Sequence, residues 1–312
     1  MSNVCGQGVV EARAKVRLGS LTKFENPLVV LASPAWRGVE ADMWLAESED
    51  GREIYKHYHA DTHHYVHPPQ AIEIAVRAGE LGVAPLVLDT WLDDGLFAME
   101  YLGEGWHAGG LIDTTKEDVR AEVIKAKKTL QSGPKMPRDA TIFAEIQSLY
   151  EFCLSHHAIL PRHIDAFMTV NEQANQAISA NGFDSIPCHR DGNTANLMIG
   201  PNNIVKLLDF DLSANTDPFE DIGCYLMEVF EREPEARVGF EQWYGQFDEG
   251  LFQRAYIYGV LDDLRWGLIA ASMSASSQRV SLEFSKYASW RFMRFEQHSQ
   301  RSLVADRLRC LS

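Results

Sequence analysis

Residues 188–211 read CHRDGNTANLMIGPNNIVKLLDFD, and this stretch contains the strongest functional pattern in the 312-residue chain. His189, Asp191 and Asn196 follow the spacing H-x-D-x-x-x-x-N, and Asp209 lies shortly downstream. Each of these residues alone would be an ordinary turn or strand-end residue. Their combination at this spacing calls for a chemical explanation.

The residues between Asn196 and Asp209 predict a β-hairpin. Two apolar runs, residues 197–199 and 204–208, flank the turn Gly-Pro-Asn-Asn at 200–203, and such runs joined by turn residues are typical of paired strands. The hairpin would place Asn196 at the start of one strand and Asp209 at the end of the other. We therefore expect the two side chains to be neighbours in space.

This arrangement suits phosphoryl transfer, in which the protein mainly orients the reactants and holds a metal ion on the phosphates. Asp191 could orient the acceptor hydroxyl. Asn196 and Asp209 could hold Mg²⁺, which prefers a few protein oxygens together with substrate phosphates. We expect His189 and Arg190 to brace the loop. The pattern thus predicts a phosphotransferase with Asp191 as its central catalytic residue.

Composition narrows the possible partners and location. The net charge of −15 argues against binding to nucleic acid, which requires a basic surface, and suits a cationic small molecule. No apolar run is long enough for a membrane span, and the first residues lack a signal-peptide pattern. The five cysteines include no C-x-x-C pair, which indicates reduced thiols. We expect a cytoplasmic protein that acts without nucleic acid or membrane.

The first third of the chain has the pattern of an antiparallel sheet with helices. An amphipathic helix is expected within the first 20 residues. Pro68-Pro69, followed by periodic apolar residues up to Gly79 or Gly82, predicts a second helix. Glycines between 103 and 110 indicate a linker, beyond which the patterns are mainly helical and are broken only by the hairpin. The predicted strands cover residues 27–31, 41–45, 53–58, 86–91 and 96–102.

This order of elements resembles the protein-kinase-like fold and, more narrowly, the aminoglycoside phosphotransferase and choline/ethanolamine kinase group. The narrower resemblance rests on LLDFD at 207–211 and DPFEDIG at 217–223. A protein kinase would have D-F-G and a later A-P-E, both missing here, so a protein substrate is disfavoured. The resemblance implies an α+β fold with two lobes. Residues 1–102 would form a nucleotide-binding lobe, with a five-stranded antiparallel sheet and one helix, and residues 103–312 a mainly helical catalytic and substrate-binding lobe.

The same resemblance implies ATP and Mg²⁺ as cofactors. Lys56 would neutralise the α- and β-phosphates, and Glu73 would hold this lysine by an ion pair. Glu100 and Leu102 would offer backbone groups to adenine. Arg37 lies in the segment where the family turns between its first two strands. This segment has one glycine instead of G-x-G-x-x-G, and its backbone amides or Arg37 would reach the phosphates. Asp221, in the DPFEDIG segment, would anchor the catalytic loop.

An acceptor pocket is implied by the second half of the chain. The segments that contain Glu228, Trp266 and Tyr287 resemble those of choline and ethanolamine kinases, whose C-terminal helices line the choline pocket. A cation can be held by aromatic faces with a carboxylate nearby, which these three residues could provide. By composition alone these aromatic residues would be core residues. The family has a second Trp three positions after the first, where this chain has Ile269. A choline- or ethanolamine-like acceptor and a primary amine or amino sugar therefore both remain possible.

Two further readings stay open. The chain could phosphorylate an aminoglycoside, using carboxylates such as Glu228, Asp262 and Asp263, or it could be a catalytically silent nucleotide-binding member.

The run at 57–67 holds five of the 11 histidines. Its irregular spacing favours a polar surface loop near the nucleotide over a transition-metal site.

Overall fold

The computed structural model describes residues 6–27, 39–279, 283–301 and 304–311. Its first part is a five-stranded antiparallel sheet, ordered β1-β2-β3-β5-β4, together with two helices. The predicted helix in the first 20 residues is α1. The elements of this part are α1 (Gln7–Leu18), β1 (Lys23–Glu25), β2 (Ala41–Glu47), β3 (Arg52–Tyr58), α2 (Pro68–Glu80), β4 (Val87–Trp91) and β5 (Leu96–Glu100).

The remainder of the described chain is mainly helical, so the predicted α+β class is confirmed. The elements are β6 (His107–Ala108), α3 (Leu111–Thr114), α4 (Glu117–Gln131), α5 (Ile142–Ser155), α6 (Ile164–Asn181), β7 (Ile186–Cys188), β8 (Leu197–Ile199), β9 (Val205–Leu207), β10 (Ala214–Thr216), α7 (Pro218–Val229), α8 (Glu233–Tyr244), α9 (Glu249–Ser276), α10 (Phe284–Arg301) and α11 (Val304–Arg309).

The predicted hairpin is confirmed as β8 and β9, which pair antiparallel with Leu197 opposite Leu207. The expectation that only this hairpin interrupts the helices is wrong. β6 pairs with β8 inside the predicted linker, and β7 pairs with β10. These strands have two or three residues each, too few to produce a recognisable periodicity.

The core of the helical part is organised around α9, a helix of 28 residues that is buried along most of its length. A helix buried on all sides needs neighbours on every face, and α5, α7 and α10 pack against it. α7 approaches it closely at Gly223, where a Cβ atom would overlap the carbonyl oxygen of Ala255. This contact fixes α7, and the loop that it supports, against the core.

The sheet and the helical part meet beside the hairpin. The Leu207 amide donates a hydrogen bond to the Val83 carbonyl at 2.7 Å, and Lys206 donates to the Ala84 carbonyl at 2.8 Å. A cleft remains between the sheet and β9. The division into two lobes at residue 102 stays a prediction. The strand predicted at 27–31 lies almost wholly outside the described residues.

None of the helices in the described part of the chain has the length and apolar character that a bilayer span requires.

Candidate active site

The H-x-D-x-x-x-x-N segment forms a tight loop between β7 and β8 that fixes the Asp191 carboxylate. Its Oδ1 accepts a hydrogen bond from the Asn193 amide at 2.7 Å, and its Oδ2 accepts one from the Asn196 side chain at 2.6 Å. Arg190 has a φ of 64°, a left-handed conformation that is strained for a residue with a side chain. Burial raises the pKa of Asp191, and the nearby Asp209 carboxylate raises it further. The loop thus presents one oriented carboxylate.

Buried side chains hold the backbone of this loop. Asp221, near the start of α7, accepts hydrogen bonds from the His189 amide at 3.2 Å and the Arg190 amide at 3.1 Å. The anchoring role predicted for Asp221 is therefore confirmed. From the other side, Ser213 donates to the His189 carbonyl at 3.0 Å and Arg265 donates to the Arg190 carbonyl at 3.1 Å.

The side chains of His189 and Arg190 lie beneath the loop. His189 Nε2 is 2.9 Å from the Leu208 carbonyl oxygen, and the Arg190 guanidinium donates to Glu220 at 2.7 Å and to Glu145 at 2.5 Å. Both side chains are buried. This is the bracing position expected from the sequence.

Lys56, on β3, contacts two carboxylates at the end of the hairpin. Its Nζ lies 2.7 Å from Oδ1 of Asp209 and 2.7 Å from Oδ1 of Asp211. Tyr58 also donates to Asp211, at 2.5 Å. Burial disfavours ionisation of Asp209, but the Lys56 ammonium outweighs this and lowers its pKa. Burial and the Asp209 charge together raise the pKa of Asp211, so the two carboxylates differ in proton affinity.

The predicted ion pair between Lys56 and Glu73 is not formed. α2 turns Ile72, Ile74 and other apolar residues toward the core, which leaves Glu73 exposed on the opposite face. There it forms an i,i+4 ion pair with Arg77. The lysine takes its partners from the hairpin end instead, as the Asp211 contact shows.

Oxygen ligands for a divalent cation converge at the same place. The hairpin brings Asn196 next to Asp209, since the Leu208 amide donates to the Asn196 carbonyl at 2.8 Å. Carboxylate oxygens of Glu40, Asp209 and Asp211 lie within 4.8 Å of one another. Carboxylate and amide oxygens are the ligands that Mg²⁺ prefers, so the donor set fits this ion.

The cleft between the sheet and the hairpin adjoins these residues. Its walls are mostly apolar, as in a site for a planar ring, and Lys56, Asn196 and Asp209 also line it. The apolar residues of the wall include Ala41, Met43, Val87, Phe97, Met99 and Leu207.

For three residues predicted to contact the nucleotide, the structure gives no test of that role. Glu100 and Leu102 follow Met99 at the edge of the cleft. The Glu100 carboxylate accepts a hydrogen bond from the Leu86 amide at 2.9 Å, which is a structural contact. Contacts of these two residues with adenine stay a prediction, and Arg37 lies outside the described residues.

A second, smaller pocket adjoins the first at Glu40, Asn196 and Asp209. The three residues predicted to bind the acceptor come together here with the catalytic loop, although they are far apart in the sequence. The side chains that line it include Asp191, Glu228, Asp262, Trp266, Tyr287 and Arg291.

Carboxylates outnumber cations in this second pocket. Burial raises the pKa of Glu228. Arg291 donates to the Tyr287 hydroxyl at 2.8 Å and to Asp263 at 2.8 Å, so much of its charge is already compensated. Ile269, which stands where the family has a second Trp, is fully buried in the core. Among the residues that the structure describes, the pocket therefore offers carboxylates and two aromatic rings, which do not form a complete aromatic cage.

Sequence reasoning missed an ionic cluster that supports the loop. Glu145 on α5 accepts hydrogen bonds from Arg190 and from Arg265, the latter at 3.1 Å. Arg265 also donates to Asp262 at 2.6 Å, which connects the second pocket to the loop that holds Asp191. The sequence did contain a signal for this cluster, namely charged residues on helices that are otherwise apolar. A buried charge requires a partner.

One histidine of the run at 57–67 is held against the helical part. His64 stacks on Phe152 of α5 with ring centroids 4.2 Å apart, and its Nε2 lies 2.8 Å from the Ser272 hydroxyl on α9. The expected polar surface loop is thus wrong for His64, which packs on the helical part.

Comparison with known proteins identifies relatives. A model of the phosphotransferase enzyme family matches residues 32–256. Among curated proteins, none matches this sequence.

Solved structures with the same fold include three kinases. A choline/ethanolamine kinase family protein from Mesorhizobium loti is 20% identical, with a TM-score of 0.78 over 97% of this chain and 98% of that chain. The microcompartment-associated aminopropanol kinase is 15% identical, with a TM-score of 0.65 over 97% and 99%. Spectinomycin phosphotransferase, in complex with ADP and spectinomycin, is 13% identical, with a TM-score of 0.58 over 94% and 98%. These likenesses confirm the predicted protein-kinase-like fold.

Proposed function

The chain belongs to the phosphotransferase enzyme family, and from this premise we propose that it transfers the γ-phosphate of ATP to the hydroxyl group of a small amino alcohol. The observation that carries the proposal is the shared pocket. Asp191 and Asp209 line the same pocket as Glu228 and Asp262. A hydroxyl and an ammonium group on one small molecule could therefore meet their partners simultaneously.

Nucleotide binding is supported by the apolar cleft and by the charged groups that line it. Lys56 is held beside Asp209, where its ammonium could bind a phosphate oxygen. Asn196 and Asp209 would hold Mg²⁺, which supplies charge neutralisation on the phosphates; Glu40 and Asp211 offer further oxygens. A related structure of the same fold contains ADP.

Asp191 would accept a hydrogen bond from the acceptor hydroxyl and orient its oxygen toward the γ-phosphate. The Asn193 and Asn196 contacts fix the carboxylate in place. The side chain therefore loses little further rotational freedom when the transition state forms. Its raised pKa brings its proton affinity closer to that needed by a general base at neutral pH.

The pocket favours a primary ammonium over a quaternary one. A quaternary ammonium donates no hydrogen bonds and is best held by several aromatic faces. Here Trp266 and Tyr287 are accompanied by Glu228 and Asp262, which can accept hydrogen bonds from N–H groups. Ethanolamine or an aminopropanol fits this chemistry, and similar structures include an aminopropanol kinase.

The test is ADP release from Mg-ATP in the presence of ethanolamine, 1-amino-2-propanol, choline, an aminoglycoside or glucose. Ethanolamine or aminopropanol should give the highest kcat/KM. Preference for an aminoglycoside would retain the kinase and refute the acceptor class. No stimulation by any acceptor, despite ATP binding, would contradict the proposed activity.

A pair of variants tests the pocket itself. Glu228→Gln should raise KM for the amino alcohol about tenfold or more, because it removes a partly buried charge that pairs with the ammonium. KM for ATP should stay within twofold. Glu231→Gln is the matched control, since Glu231 is exposed just beyond the same helix. Equal KM values for the two variants would exclude Glu228 from acceptor binding.

A further inference from the structure

Lys127 on α4 is a buried cation that no motif explains. It lies on the apolar face of the helix, near Val123, Ile124 and Leu130, and is only 1% exposed. Lysine is almost never buried to this extent unless it is paired, because loss of hydration disfavours its charge. Its contacts must therefore compensate for that loss.

Those contacts all lie at the catalytic loop. The Lys127 Nζ donates to Oδ1 of Asp221 at 2.7 Å and to the backbone carbonyl of Asp191 at 2.8 Å, and it lies 3.3 Å from Nδ1 of His189. The ammonium thus contacts the carbonyl of the catalytic residue itself, in addition to the anchoring carboxylate.

The contact between Lys127 and Nδ1 of His189 requires one particular tautomer of the histidine ring. Its Nε2 faces the Leu208 carbonyl at 2.9 Å, and a carbonyl oxygen can only accept, so Nε2 carries the proton. Nδ1 also lies 3.2 Å from the Asp191 carbonyl oxygen, but the neutral ring has a single N–H, and we assign it to the shorter Nε2 contact. Nδ1 is then an acceptor and can receive a hydrogen bond from the Lys127 ammonium. Leu208 directly precedes Asp209. One cation therefore connects the backbone of Asp191, through His189, to the peptide that precedes the candidate metal ligand.

We propose that Lys127 is a positioning residue for phosphoryl transfer, which aligns Asp191 and Asp209 by fixing the Asp191 carbonyl and the Nε2–H tautomer of His189. The inference rests on the proposed function. A positioning role requires that its loss lowers kcat more than it changes substrate binding, whereas a merely structural role would lower stability alone.

Gln131 provides a matched control on the same helix. It donates to Oδ2 of Asp221 at 3.2 Å, but no hydrogen bond from its side chain to His189 or Asp191 is present among the described residues. Gln131→Met removes an Asp221 partner and leaves the Lys127 contacts in place. Lys127→Met removes all three contacts and preserves much of the side-chain volume.

The kinetic experiment measures Mg-ATP turnover with ethanolamine by the full-length chain. Lys127→Met should lower kcat at least 30-fold, with both KM values within threefold of wild type, and Gln131→Met should retain kcat within threefold. Should Lys127→Met fail to fold because Asp221 is left unpaired, Lys127→Met/Asp221→Asn is compared with Asp221→Asn alone. The Asn oxygen can accept from only one of the two loop amides, because these donate to different oxygens of Asp221. Both variants share this loss, so the difference between them isolates Lys127.

A second measurement needs no turnover. In ¹⁵N-correlated spectra of His189, the wild type should show the Nε2–H tautomer, and loss of Lys127 should convert it to a mixture. A folded Lys127 variant with kcat within threefold of its control, or with an unchanged tautomer, would overturn the inference. Absence of turnover in the wild type would instead refute the proposed function, while the tautomer would still decide the role of Lys127.

Discussion

Replacing Glu145 by glutamine should destabilise the fold more than any other isosteric change on α5. Glu145 accepts hydrogen bonds from Arg190 at 2.5 and 3.0 Å and from Arg265 at 3.1 Å, and it also pairs with Arg138. Arg190 and Arg265 are fully buried. The carboxylate therefore compensates cations that have no access to water.

The magnitude follows from what remains after the substitution. Hydrogen bonds to charged groups contribute about 1.5–3 kcal/mol each, and removing one partner of a buried ion pair costs about 3–5 kcal/mol. The glutamine oxygen can still accept from one guanidinium, whereas its NH₂ group would face another as a donor. We expect the free energy of unfolding to fall by about 3–5 kcal/mol.

The assay is urea unfolding at pH 7 with linear extrapolation, and Glu151→Gln is the control. Glu151 is exposed on the same helix, and its substitution should change the free energy of unfolding by less than about 0.5 kcal/mol. A loss below about 1 kcal/mol for Glu145→Gln would refute the argument that this cluster depends on the carboxylate.

The stability of the wild type and that of Glu145→Gln should also depend differently on pH. Burial would raise the pKa of Glu145, but Arg190 and Arg265 outweigh it and hold the pKa well below the ordinary value of 4.5. A lowered pKa in the folded state stabilises the fold above the unfolded-state pKa and loses this effect as the pH falls. Wild-type stability should therefore decrease more steeply below pH 4.5 than that of Glu145→Gln.

Two other predictions concern the sheet and the histidine run. Lys56→Met should lower kcat/KM for ATP about 100-fold or more, because it removes the cation beside Asp209, whereas Glu73→Gln should leave it within twofold; equal effects in ADP-release assays would contradict the observed pairing. Burial lowers the pKa of His64 to about 4, so the fold should lose stability as the pH falls from 6.5 toward 4. The melting temperature of His64→Asn should decrease less over this range than that of the wild type, and parallel curves would exclude His64 as the cause.

The local part of the site could be predicted from the sequence. Asn196 and Asp209 are joined by a hairpin whose strands and turn are encoded by adjacent residues, so their proximity follows from short-range structure. The convergence of Glu228, Trp266 and Tyr287 required a family resemblance, since helix packing, and not spacing, brings them together.

The residues that were missed depend on the rotation of helices and on distant contacts. The family resemblance predicts Glu73 beside Lys56, but the register of α2 turns it to solvent. Lys127 and Asp221 are separated by 94 positions, and no local pattern indicates such a pair. A charged residue on an apolar helix face was the available signal, and its partner could be identified only from the fold.

The central claim is that Asp191 orients the acceptor hydroxyl for transfer of the γ-phosphate. The most direct measurement compares wild type and Asp191→Asn in amino-alcohol-dependent ADP release, with ATP affinity measured by calorimetry. Since Asn lacks the negative charge and proton affinity of the carboxylate, kcat should fall by about 10²–10⁴-fold, with Kd for ATP within threefold. A variant with near-normal kcat would contradict the account.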